Sequence, residues 1–194
     1  MSDTPASLLE RLRLEPDQAS WRRLVDLYQP MLTAWLRRYA LQAADLDDLR
    51  QDILSVVFRE VSAFQHQGQR GAFRCWLRRI MVNRLRTFWR EQRKRSELGD
   101  GRALAELIEQ LDDPASGLSR LWDSEHDRYV TRRLTELLKG EFEPATWNAF
   151  EQLIFEGRST ADVARTLNMT ANAVRLAKSR VLRRLRQEIQ GLLD

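Results

Sequence analysis

Cysteine is almost missing from this sequence: Cys75 is the only one in 194 residues. No internal disulfide can form, which excludes a disulfide-stapled scaffold and fits a reducing cytoplasm. The expected place for that thiol is the core, as a small buried helix residue. Glycine (8) and proline (5) are scarce, so few positions break a helix. The only histidines are His66 and His126, and neither belongs to a set with metal-ligand spacing. No metal, no cofactor and no catalytic residue is therefore expected, and an enzyme such as a nuclease is the least supported reading. No apolar run approaches the roughly 18 residues of a membrane span, so no membrane insertion is expected. Charged residues from Asp3 to Asp17 interrupt the first twenty positions and argue against a secretory leader.

What is present is charge set on helical apolar spacing. Hydrophobic residues make up 43% and charged residues 31%, the balance of a globular chain rather than a disordered one. The net charge of +4 is modest, but it is unevenly spread. Ten basic residues between Gly68 and Arg95 face one acid, Glu91, and six between Arg175 and Arg186 face none. Between these blocks, Glu97 to Asp127 holds nine acids against Arg102 and Arg120. Two basic modules flanking an acidic connector suggest a polyanion held at two places.

The periodicity predicts an all-α fold of two small helical domains. A short helix is expected to start at Thr4-Pro5, with proline at the first helical position. A second runs from about Asp17 to Tyr39, with Leu24, Leu27, Tyr28, Met31, Trp35 and Leu36 on one face and Pro30 as an expected kink. Asp45 is the expected cap of a third, whose stripe is Leu46, Leu49, Ile53, Val56, Val57 and Phe64. Gln65 to Gly71 reads as a loop, and Ala72 to Lys94 as a long basic helix. These divisions give an N-terminal extension over 1–16, a first domain over 17–95, and a linker with one small helix over 96–120. A second domain follows over 121–194, with helices near 121–139, 144–156, 160–167 and 171–190.

The sharpest motif is T-A-D-V-A-R-T-L-N-M-T-A-N-A-V-R-L-A-K, Thr160 to Lys178. Two short helices crossing near a right angle need a small residue at the contact, which Ala164 supplies. Val163, Leu167, Met169, Val174 and Ala177 fall where such a pair buries its apolar side. Asn168 suits the left-handed turn and Thr170 can cap the second helix. That helix would expose Asn172, Arg175, Lys178, Arg180, Arg183 and Arg184, amide and guanidinium groups able to read base edges or hold phosphates. The alternative is a helical hairpin with a solvated basic face, which leaves the agreement of pattern, turn residue and charge without a reason.

The first basic block differs by carrying Phe73, Trp76, Phe88 and Trp89 among its arginines. Aromatics beside guanidinium groups suit single-stranded DNA, giving stacking platforms for bases and charges for the backbone. Core packing is the competing reading for Trp76, Leu77 and Ile80. A solvated helix end is the competing reading for Arg90, Arg93, Lys94 and Arg95.

These residues resemble a known family. L-D-D-L-R-Q-D-I-L, Leu46 to Leu54, is similar to the A-E-D-L-x-Q-E-x-F signature of region 2.2 in RNA polymerase sigma-70 factors. A-F-R-C-W-L-R-R-I-M-V-N-R-L-R-T-F-W-R, Ala72 to Arg90, resembles their W-L-x-x-I-x-x-N signature in regions 2.3 and 2.4. Leu27-Tyr28 with Pro30 resembles the start of region 2.1, and Thr160 to Lys178 occupies the place of region 4.2. Absence of the extra N-terminal and middle regions resembles the extracytoplasmic-function (ECF) group.

The resemblance implies a cytoplasmic, non-enzymatic partner of core RNA polymerase and promoter DNA. Asp48, Leu49, Gln51 and Asp52 would meet the clamp of the largest subunit, and the second domain the flap of the second largest. Trp76, Arg79, Asn83, Arg86 and Arg90 would engage the opened minus-ten element, with Gln65 to Gly71 beside an extruded base. Thr170, Asn172, Ala173, Arg175, Lys178, Arg180 and Arg183 would read the minus-thirty-five element. Family members are usually held inactive by an anti-sigma factor, a partner no residue here identifies. The sequence departs from the family pattern at Thr87, where Asp is frequent, at G-R-S-T-A-D-V-A (Gly157 to Ala164), and at Ala177, where Arg is frequent; these positions bear on base preference.

A stand-alone helix-turn-helix regulator would explain the second domain but leave the Leu46–Asn83 signatures idle. The linker reading predicts that limited proteolysis cuts between Ser96 and Ser119, where Gly99, Gly101, Pro114 and Gly117 leave backbone exposed. Two resistant fragments are expected on a denaturing gel; one fragment cut elsewhere would contradict that division.

Overall fold

Helices are the only regular elements in the computed structural model, which describes residues 7–14, 17–65, 70–95 and 102–193. The expected helix start at Thr4-Pro5 lies outside the described residues. Helix α1 (Leu8–Leu14) opens at a capping box: Ser7 N–H donates to Glu10 Oε2 (2.8 Å) and Glu10 N–H to Ser7 Oγ (3.2 Å). Helix α2 (Gln18–Leu36) is capped by Asp17, whose carboxylate accepts from Ser20 N–H at 2.6 Å, and it runs through Pro30. Helix α3 (Ala43–Glu60) starts one turn before the residue expected to cap it. Gln42 is its cap, because Leu46 N–H already bonds back to Gln42 O, and Asp45 lies in the first turn, where its charge favours the helix dipole.

Helix α4 (Ala72–Arg95) packs on α3, and α3 on α2. Leu27, Tyr28 and Trp35 of α2, Leu49, Ile53 and Val57 of α3, and Phe73, Leu77, Met81 and Leu85 of α4 share one core. Cys75 was expected inside it and is exposed. The inward stripe of α4 runs through positions 73, 77, 81 and 85, which turns position 75 away.

The acidic connector is largely folded. Helix α5 (Arg102–Asp112) buries Ile108 and Leu111 in the same core, and α6 (Gly117–Leu138) begins directly after it. The Ser116 and Ser119 hydroxyls bond the Gln110 and Leu111 carbonyls, satisfying acceptors that α5 leaves open at its end. Trp122 of α6 is fully buried, edge-on to Trp35 with centroids 5.0 Å apart, and its indole N–H donates to Arg74 O at 3.2 Å. Arg74 in turn pairs with Asp123 (3.3 Å) and Asp127 (3.1 Å), and Arg38 with Glu125 (3.0 Å). Position 121, expected to open a second domain, thus falls within a helix packed on the first core.

Beyond a 3-10 turn at Lys139–Glu141 come α7 (Pro144–Ile154), α8 (Thr160–Thr166) and α9 (Ala171–Ile189). The end of α9 returns to the first core, where Leu192 is wholly buried. Gly191 makes the turn at φ 82, and a Cβ there would meet Leu9 at 3.1 Å. Glu188, with no exposed surface, is ringed by Arg11 (3.1 Å), Arg23 (3.4 Å) and Arg184, while Glu141 bridges Arg23 (2.6 Å) and Arg184 (2.9 Å).

His126 is buried between α2 and α6, its Nε2 at 3.1 Å from Tyr28 OH and its Nδ1 at 3.1 Å from Asp127 Oδ1. Burial lowers its pKa below the ordinary 6.5, against the opposing pull of Asp127. The unfolded chain therefore takes up a proton near pH 6.5 that the native imidazole resists. Stability is complete above that pH and falls as pH drops below it. Urea denaturation at pH 7.5 and 5.5 is expected to show this loss, and His126→Gln to flatten it; an unchanged slope would contradict the assignment.

Candidate nucleic-acid interface

Local chemistry builds the pair α8–α9. Ser159 caps α8, its hydroxyl accepting from Asp162 N–H at 3.1 Å, and Thr170 caps α9, accepting from Ala173 N–H at 3.1 Å. Between them Asn168 takes the left-handed conformation at φ 51. Met169 N–H bonds Ala164 O (2.9 Å) across that turn, the six-residue closure of a Schellman motif. Val163, Val174 and Ala177 are buried with Ala149 of α7, and Ala164, Leu167 and Met169 pack around them.

This packing leaves the other side of α9 open. Asn172, Arg175, Lys178, Arg180 and Arg183 are exposed, and none of the four cations pairs with an acid among the described residues. Ala173 is half-buried beside them, and the hydroxyl of Thr170 is engaged in the cap. Arg184, read from the sequence as a further phosphate contact, is not on this face: Glu141 and Glu188 hold it.

On α4 the residues singled out by sequence fall at positions 76, 79, 83, 86 and 90, spacings of three and four that place them along one side of the helix. Arg79, Asn83, Arg86 and Arg90 are exposed. Trp76 is half-buried against Phe64 (5.0 Å) and Phe73 (5.3 Å), so its ring is part core and part surface. Phe88 and Trp89 likewise pack against the core rather than standing free. Of the ten cations in this block, Arg74 and Arg78 are turned to Asp123 and Asp127 of α6, and Arg84 pairs with Asp52 at 3.5 Å. Residues 66–69 of the loop read as a base pocket lie outside the described residues.

A third surface is acidic. Asp48, Gln51 and Asp52 are exposed on α3, whereas Leu49 is 4% exposed and supports them from the core. Missed by sequence reasoning were the exposed Phe58, stacked edge-on with Trp21 at 4.8 Å, and the cavity it lines with Gln51 and Leu54. A phenylalanine near the end of an apolar stripe gives no sequence signal that it faces water. Among the described residues no three His, Cys, Asp or Glu side chains are grouped to hold a metal ion, and no helix is long and apolar enough to cross a membrane.

Residues 24–95 match the family model of sigma-70 region 2. No curated protein matches the chain. The region 2 match supports the RNA polymerase sigma-70 family, whose members are non-enzymatic factors of promoter recognition and transcription initiation.

Duplex binding by α9 has a measurable signature. Neutralising about four phosphates gives a slope of about −3.6 in log affinity against log salt. Arg183→Ala is expected to weaken every duplex alike, while Asn172→Ala or Arg175→Ala costs about 1–3 kcal/mol only on duplexes selected from a random pool. Titration of both pools separates these outcomes; equal losses throughout would move the reading face elsewhere.

Proposed function

We propose, from the sigma-70 region 2 over residues 24–95, that this chain is an ECF-type sigma factor that binds core RNA polymerase and directs promoter recognition and opening. One observation carries the reading: the region 2 match contains a solvent-facing row of Asn83 and arginines on α4, and a second basic row stands apart on α9. Two separate DNA-facing surfaces are what a protein needs if it is to hold one promoter element as a single strand and another as duplex.

In this reading residues 17–95 form region 2 and residues 121–194 carry region 4, with residues 1–16 as an extension. The linker of this reading, 96–120, holds α5 and the start of α6, both packed on the first core, which leaves no separate middle domain among the described residues and favours the ECF type. Asp48, Gln51 and Asp52 form an exposed acidic surface suited to a basic helical partner, the polymerase clamp. The cytoplasm is the corresponding site of action.

The chemistry is non-covalent. Unstacking a base costs a few kcal/mol, which binding of the exposed strand must offset. Arg79, Arg86 and Arg90 can hold its backbone, Asn83 can bond a base edge, and stacking on the exposed part of Trp76 adds about 1–3 kcal/mol. The row on α9 positions the duplex, its arginines on phosphates and its Asn172 and Arg175 on base edges.

Asn83→Ala is expected to keep core polymerase binding but to reduce open-complex formation on a duplex promoter, read by permanganate reactivity. A template already mismatched across the minus-ten element should recover part of the signal, because the opening cost has been removed. Asp48→Arg should do the reverse, weakening polymerase capture whatever the template. Normal opening by the Asn83 variant would make that residue structural and remove the proposed melting surface.

A further inference from the structure

Helices α4 and α5 form a groove in which opposite charges meet. Arg86 Nη2 lies 2.9 Å from Asp112 Oδ2, with the two side chains 47% and 43% exposed, so the pair sits at a wet rim. Beside it is a cavity of about 290 Å³, lined from α4 by Arg86, Trp89, Arg90, Arg93 and Lys94 and from α5 chiefly by Ile108 and Glu109. Four cations and one carboxylate thus line the cavity. The Trp89 indole N–H is also buried without an acceptor among the described residues, and a buried donor without a partner is costly. Such a groove is under-supplied with acceptor oxygens.

Helix α5 is poorly made to be a helix on its own. Arg102 stands in its first turn and Asp112 at its last residue, both opposed to the helix dipole. Eleven residues are also too few for independent stability in water. Its order comes from Ile108 and Leu111 in the core and from the charges it sets against α4. Asp112 therefore serves the contact with Arg86 and not the helix that carries it.

We propose that α5 is an intramolecular competitor for nucleic acid, its Asp112 and Glu109 carboxylates standing where backbone phosphates of a single strand bind α4. This rests on the single-strand role given to α4 above. Helix α5 need not leave the core for the exchange. The rim pair is exposed, so the guanidinium of Arg86 can turn from carboxylate to phosphate while Ile108 and Leu111 stay buried. Arg90, Arg93 and Lys94 pair with no acid among the described residues and are ready for the same strand. The device weakens adventitious binding by the free protein and yields to a strand presented at high local concentration.

The test uses the full chain and a labelled single-stranded oligonucleotide in fluorescence anisotropy at low and high salt. Glu109→Gln with Asp112→Asn keeps shape and hydrogen bonding and removes the competing charges. Glu60→Gln with Glu106→Gln makes the same change in net charge outside the groove and serves as control, with helix content checked by circular dichroism. At low salt the groove variant is expected to bind about threefold or more tighter than parent and control, in line with exposed ion pairs. High salt should shrink the difference. Affinity equal to the control overturns the competitor role. If Arg90→Ala at the same time weakens binding, the single-strand role of α4 survives that failure; if Arg90→Ala changes nothing, both fall together.

Discussion

Glu188 has no exposed surface, and a carboxylate without water is tolerated only where cations replace its lost hydration. Arg11 from α1, Arg23 from α2 and Arg184 from α9 do so, with Glu141 tying Arg23 and Arg184 from the far side. Removing one partner of such a buried set typically costs about 3–5 kcal/mol, because charge is left behind without compensation. The network joins the end of the α9 helix to the first two helices of the chain. Leu192 continues the junction as an apolar contact in the first core. The network and Leu192 thus tie the end of the helix that carries the α9 row to the helices of the first core.

Arginine does two jobs in this chain, and the difference lies in what each one faces. Arg74 and Arg78 look like members of a DNA-binding block but fasten α6 through Asp123 and Asp127. Arg84 and Arg184 are likewise held, by Asp52 and by Glu141 with Glu188. What remains unpaired for a polyanion is a smaller set: Arg79, Arg90, Arg93 and Lys94 on α4, and Arg175, Lys178, Arg180 and Arg183 on α9, while Arg86 is shared with Asp112. The fixed arginines hold the platforms steady while the free ones face solvent, which keeps a binding surface positioned without consuming its charges.

Local features were legible in the sequence because their causes are local. The Asn168 turn, the Thr170 cap and the stripes of α2 and α3 depend on residues within a few positions of one another. The row on α4 was legible for the same reason, as spacings of three and four need no distant partner. The long-range pairings were hidden: Arg74 and Trp122 are 48 residues apart, and nothing local in either announces their contact. The same blindness put Cys75 in the core, and it hid that α6 is anchored to the first core by Trp122. Phe58 is the converse case, a large apolar residue left at the surface.

A region 2 match, an exposed acidic patch on α3 and two basic rows converge on one activity that no single surface could provide. Run-off transcription with purified core RNA polymerase and a genomic promoter library tests that convergence most directly. The account predicts discrete transcripts that need both core enzyme and this chain, with upstream sequences sharing two spaced elements. Core enzyme that binds the chain and still yields no promoter-specific transcript, or duplex binding confined to palindromes without polymerase, would contradict it.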